Sequence, residues 1–303
     1  MSLATPCSLQ SAAVGEPLAG TAPVARGWVI VEQSGPWGRD VLVDSPLPEP
    51  AKQQLRLLKD EGFGVLLARA ARGQVRPMTG GHHIFVASSA VGDSVLREAV
   101  VDDLRELSGL DAEGLMGSGF GSPAQLPALF VCTHSRRDAC CAVHGRALVS
   151  GLIERAPAGL QERIWECSHI GGHRFAPVTL SLPWGVVHGR CSLDDALEVV
   201  GRLTSGRVLI EHLRGRSSVP PAAQAAEIAV RRVTGEDQVD ALDAVVVRDL
   251  GDDVDVSVRH VDGRTWHVSV ARREDDVLRA ESCGKDPLPV QSWAVTDLQS
   301  GVP

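Results

Sequence analysis

Two short stretches of the 303-residue chain concentrate the side chains that bind metals or carry redox chemistry: CTHSRRDACCAVHG (132–145) and WECSHIGGHRF (165–175). The first holds Cys132, Cys140 and Cys141; the second holds Cys167, His169 and His173. Eight residues separate Cys132 from Cys141, and three separate His169 from His173. Thiolates and imidazoles ligate zinc and iron, so two loops at the same end of neighbouring strands can converge on one ion or cluster. On a helix the two histidines would share a face, as in zinc proteases. Gly171-Gly172 between them would cost that helix about 2 kcal/mol, and the Glu a protease needs beside its first His is replaced by Ile170. The hydrolytic reading therefore falls, and a loop is expected. Its glycines let the backbone wrap closely and turn amides towards a negatively charged sulfur.

From spacing alone a structural Cys2His2 zinc site stays open. So does a thiol oxidoreductase using Cys140 or Cys141, although a disulfide between adjacent cysteines closes a strained ring. His134 has two readings, a base paired with Cys132 or a hydrogen-bond donor behind a ligand. Cys167 is expected in the core, and Cys7, Cys191 and Cys283 as structural or incidental. His82, His83, His188, His212, His260 and His267 are scattered and expected as surface or core. Arg136, Arg137 and Asp138 are expected to pin the cysteine loop.

Seven cysteines make an odd count in a long chain, and the first twenty residues have neither a charged n-region nor an apolar h-region. A disulfide framework and a secretory signal are therefore not expected, and a cytoplasmic protein is. The net charge of −8, from 30 basic and 38 acidic residues, with no basic run, argues against nucleic acid or an anionic membrane as partner.

The elements that must position these residues follow from periodicity. Residues 1–19 are read as a flexible tail. Strands at 27–33, 64–70 and 83–89, with helices at 49–61 and 95–108, make an α/β half over 20–113. A Gly-rich break at 114–125 follows. Then come a strand at 126–132, a polar loop carrying the cysteines, a helix at 144–156, a strand at 163–167, a hairpin at 178–190 and a Ser192-capped helix at 192–203. Strand, helix, strand, hairpin, helix is the layout of a thioredoxin-like unit, assigned to 126–213. Residues 214–223 read as a linker. Residues 224–303 read as a small α+β accessory domain with a hairpin turning at Asp262-Gly263.

CTHSRRDACC and HIGGHRFA, together with GTAP (20–23) and GPWG (35–38), resemble the sucrase/ferredoxin-like proteins over about residues 18–213. The resemblance implies a thioredoxin-like ferredoxin domain with a [2Fe–2S] cluster. By position its ligands are Cys132, Cys141, His169 and His173, with Cys140 as the alternative to Cys141. It implies an electron carrier rather than a stand-alone enzyme. Beside such a site, Arg174, next to His173, is expected to favour the reduced form or meet an acidic patch on a partner, and His134 to stand behind a ligand. The partner would be a redox protein such as a flavin-dependent reductase. Two thiolates balance the two positive charges of an oxidised core, so such a site should accept an electron at higher potential than an all-cysteine one. The second nitrogen of a ligating imidazole adds a site for proton coupling. The family name evokes sucrose, whose hydrolysis needs paired carboxylates, and no pair stands out among the 38 acidic residues.

Overall fold

A computed structural model describes residues 5–73, 80–117 and 120–301. Helix α1 (Cys7–Ala13) leads to strand β1 (Gly27–Glu32), helix α2 (Glu49–Asp60) and strands β2 (Phe63–Ala70), β3 (His82–Ser88) and β4 (Val95–Val101). After α3 (Ala112–Met116) and β5 (Ser122–Pro123) come β6 (Ala128–Cys132), α4 (Ala139–Arg155), α5 (Ala158–Gln161) and β7 (Ile164–Cys167). The hairpin β8 (Val178–Leu182) and β9 (Val186–Gly189), α6 (Leu193–Leu203) and β10 (Leu213–Arg216) complete the sheet. Its ten strands run in the order β10-β9-β8-β6-β7-β2-β1-β3-β4-β5.

Within it, β6 and β7 are parallel, β8 is antiparallel to β6, and β9 returns beside β8. This is the thioredoxin-like arrangement. Strand alternation divides its side chains between two faces. Leu129 and Val131 pack with Leu148, Val149 and Leu152 of α4 and Val199 and Val200 of α6. Phe130 and Cys132 join Trp28, Phe85, Trp165 and Phe175 on the other. The companion half is continuous with this unit, because β2 pairs antiparallel with β7 through Ala68↔Cys167 and Ala70↔Trp165.

Helix α7 (Pro221–Thr234) follows, then an antiparallel sheet of β11 (Leu242–Asp249), β12 (Asp253–His260), β13 (Thr265–Ala280) and β14 (Pro287–Ser300) in sequential order. Ala222, Ala226 and Val230 of α7 pack on Val254, Val256, Val258 and Val268 of that sheet. No helix among the described residues is long and apolar enough to cross a membrane.

Four expectations are corrected. Residues 95–101 form a strand: Val95, Val100 and Val101 are β-branched and pair with β3 in a regular ladder. Only Leu104–Leu107 coils, as a single turn capped by Asp103 and Glu106. The flexible tail contains α1, whose Cys7 and Ser11 are completely buried; its first four residues lie outside the described ones. The compositional linker contributes β10, with Arg214 and Arg216 buried. Helix α4 begins at Ala139, five residues early, because Asp138 caps it by accepting the Cys140 amide at 2.8 Å. Cys140 and Cys141 thus lie on a first helical turn instead of in a loop.

Candidate metal centre

Cys132 ends β6, and the histidine loop leaves β7 immediately beside it. The two strand ends are locked together, with the Thr133 amide donating to the Cys167 carbonyl at 3.0 Å. Thr133 Oγ1 also donates to Glu166 at 2.7 Å, and Glu166 is held by Arg69 of β2 at 2.6 Å. The companion half reaches the root of the histidine loop through Leu67, whose amide donates to Ser168 Oγ at 3.0 Å.

Cys132, Cys141 and His169 converge, with their ligand atoms all within 4.8 Å of one another. Cys132 Sγ lies 4.0 Å from His169 Nδ1. Both cysteines are buried, whereas His169 is half-exposed. A hydrogen bond from Cys141 holds the Cys132 thiol well below the ordinary thiol range, against the opposing effect of burial. The His169 ring and the His134 backbone amide reinforce it. Cys141, as the donor in a buried pair, is pushed upward. One thiolate is thus already favoured in the metal-free pair, and a cation would draw the second proton off.

His173 stands beside His169, the ring centroids 5.2 Å apart. It lies outside the tight trio, with Nε2 3.6 Å from Asp138 Oδ2. Its side chain is only 16% exposed, yet neither ring nitrogen has a hydrogen-bond partner among the described residues. Burial pushes its pKa below the ordinary imidazole value, against the pull of Asp138 and with help from His169. A largely buried imidazole whose charged form is disfavoured and whose nitrogens make no close hydrogen bond suits a metal ligand.

The glycines between the histidines do what a loop needs. Gly171 and Gly172 both take left-handed φ, +114° and +72°. A Cβ on Gly172 would stand 2.4 Å from Arg214 Nη2. Arg214, from β10, was not foreseen. Fully buried, it donates to the Gly171 carbonyl at 2.9 Å, to Thr21 Oγ1 at 3.0 Å and to the Thr21 carbonyl. It also stacks 5.0 Å from the Phe175 ring centroid. Burial lowers its pKa to about 9, which leaves it charged at neutral pH. The only sequence signal for it was an Arg within a stretch that reads as a linker.

Adjacent helical residues diverge by about 100° around the axis. Cys141 accordingly turns to Cys132, while Cys140 joins Cys7, Asp138 and Cys283 in a separate group. Cys7 and Cys283, expected as structural or incidental, are therefore in contact with each other and with Cys140. Cys167 and Cys191 are buried in the core, and burial pushes Cys191 up to about 12. The His134 ring meets the Gly38 carbonyl at 2.6 Å and the edge of Trp37; it ties the GPWG turn to the cysteine loop. Arg174 is engaged by Glu16 at 2.8 Å.

The family model for sucrase/ferredoxin-like proteins matches residues 18–215, about two-thirds of the chain. The chain belongs to the sucrase/ferredoxin-like family. Neither the comparison with curated proteins nor the comparison with solved structures found a match. The sucrase/ferredoxin-like region thus contains Cys132, Cys141, His169, His173 and Arg214, while α1 and the second sheet fall outside it.

Proposed function

We propose that this sucrase/ferredoxin-like protein is a one-electron carrier holding a [2Fe–2S] cluster on Cys132, Cys141, His169 and His173. The carrying observation is the convergence of two buried cysteines with His169, beside a largely buried His173 whose ring nitrogens have no partner. Two soft sulfur donors on one side and two imidazoles on the other suit a two-iron centre of mixed ligation. Such a group supplies single-electron chemistry at a potential above that of four-thiolate centres.

The chain's own residues shape what surrounds it. Cys132 and Cys141 keep water from the sulfur side. His169 and His173 form the outer rim and carry the nitrogens at which a proton can bind or leave. Arg214 fixes the backbone between them through Gly171. His169, His134 and Arg137 line an open cleft of about 400 Å³, the proposed docking face for a redox partner such as a flavin-dependent reductase.

Anaerobically purified protein is expected to be brown, with about two irons and two sulfides per chain and an EPR signal on reduction. His169→Cys and His173→Cys should each keep the colour, lower the potential and flatten its pH dependence; an unchanged potential would remove that histidine from the ligand set. The second reading is one structural zinc ion, favoured by the compactness of Cys132, Cys141 and His169 within 4.8 Å. A colourless protein with zinc and no sulfide would decide for it.

A further inference from the structure

Three cysteines far apart in the chain meet on the other side of the α4 N-terminus. Cys7 comes from the start of α1, Cys140 from the first turn of α4 and Cys283 from the turn joining β13 to β14. The Cys7–Cys140, Cys140–Cys283 and Cys283–Cys7 sulfur distances are 3.6, 3.4 and 3.6 Å. Both carboxylate oxygens of Asp138 lie 3.8 Å from Cys7 Sγ, and four donor atoms, one from each residue, fit within 4.8 Å. A tetrahedral ion with metal–sulfur bonds of ~2.3 Å sets its thiolates ~3.8 Å apart. The sulfur triangle is thus a slightly contracted face of such a tetrahedron, with Asp138 above it. A disulfide would need sulfurs at ~2.05 Å, so none of the three pairs is bonded.

The surroundings orient these donors as outer groups orient metal ligands. Ser8 Oγ donates to Cys140 Sγ at 3.2 Å. Asp138 is fixed by Ser282 Oγ at 2.9 Å, by the Cys283 amide at 3.0 Å and by the Cys140 amide at 2.8 Å. Cys7 and Cys140 are buried while Cys283 is exposed, which leaves a route in for an ion. The ligands of different irons in a cluster are separated by bridging sulfides, so three thiols this close suit one ion.

We propose that Cys7, Asp138, Cys140 and Cys283 bind a single zinc-class divalent ion. It fastens α1 and the β13–β14 turn, both outside the family region, onto the helix that carries Cys141. Binding replaces the thiol protons by metal–sulfur bonds and releases them to solvent, without change of oxidation state. This site stands whether or not the neighbouring centre holds iron.

The test uses the untagged full-length protein, purified anaerobically, with zinc, iron and sulfide measured on one sample. Wild type is expected to carry one zinc per chain at this site, and cobalt(II) replacing it should show thiolate-to-cobalt charge-transfer bands with tetrahedral visible bands. Cys283→Ser, on an exposed turn, should lose that zinc while iron and sulfide stay unchanged; Cys7→Ser should do the same. Zinc retained in full by Cys283→Ser, a disulfide among the three cysteines in alkylated wild type, or loss of iron in place of zinc would each overturn the proposal. Missing iron with zinc still lost in Cys283→Ser would instead overturn the electron-carrier reading alone.

Discussion

At the scale of single residues, the divergence of Cys140 and Cys141 is the most consequential feature. Sequence shows two adjacent thiols and cannot say which faces Cys132, because that depends on the phase of a helix whose start is set by Asp138. Once the helix begins at Ala139, the phase follows and each thiol has its own neighbours. The spacing of Cys132, His169 and His173 was legible because Cys132 ends one strand and both histidines lie in the segment that leaves its neighbour. Arg214 was not, since its role depends on burial against a loop some forty residues earlier. Replacing Arg214 by Met would keep much of its bulk and remove three hydrogen bonds, leaving the Gly171 and Thr21 carbonyls unmatched. A stability loss of about 2–4 kcal/mol is expected, measured by chemical denaturation, with the loop between the histidines losing amide-exchange protection first. A loss below about 0.5 kcal/mol would show that the loop holds itself.

At the scale of elements, the approach of α4 to β6 decides whether Cys141 reaches Cys132. Gly145 permits that approach: a Cβ there would stand 2.0 Å from the Cys132 carbonyl oxygen. Helix propensity alone says that Gly145→Ala should stabilise α4 by about 1 kcal/mol. The contact with strand backbone opposes this and has no flexible atom to yield, so the net effect should be destabilising by about 1–3 kcal/mol. Retention of metal at the candidate centre should fall as well, since the helix must back away. A melting temperature raised by Gly145→Ala would refute the close packing. The same contest between local and tertiary preference explains the misread segment at 95–108. Its apolar residues satisfy a helical spacing, but pairing with β3 satisfies the backbone of Val95–Val101 in a way sequence periodicity does not register. Strands 27–32, 63–70 and 128–132 were legible because their apolar runs were short and bounded by turns or Gly.

At the scale of the whole molecule, the chain's two ends are tied to the family region by a buried carboxylate. Glu16, 1% exposed, pairs with Arg279 of β13 through contacts of 2.9 and 2.8 Å and with Arg174 at 2.8 Å. Ser11 of α1 donates to it at 2.6 Å. Burial alone would raise the Glu16 pKa, but the hydrogen bonds from Arg279 and Ser11 and the charge of Arg174 outweigh it and hold the pKa below its ordinary 4.5. A carboxyl lowered on folding binds fewer protons in the native state than in the unfolded one. Its stabilisation is therefore fully present above about pH 4.5 and is lost as pH falls through the lowered native value. Glu16→Gln leaves the buried Arg279 and the partly exposed Arg174 facing a neutral amide, a loss of about 2–4 kcal/mol near neutrality. Because the carboxylate is already protonated in acid, the difference between wild type and Glu16→Gln should shrink as pH is lowered below 4.5. Denaturant midpoints for both proteins across that range test this directly; a gap independent of pH would mean that Glu16 acts through packing and not through charge. Arg174 lies next to His173, so the same variant should also release the C-terminal hairpin from the histidine side of the centre. Amide exchange in residues 279–283 should rise before exchange in β6 or β7 does.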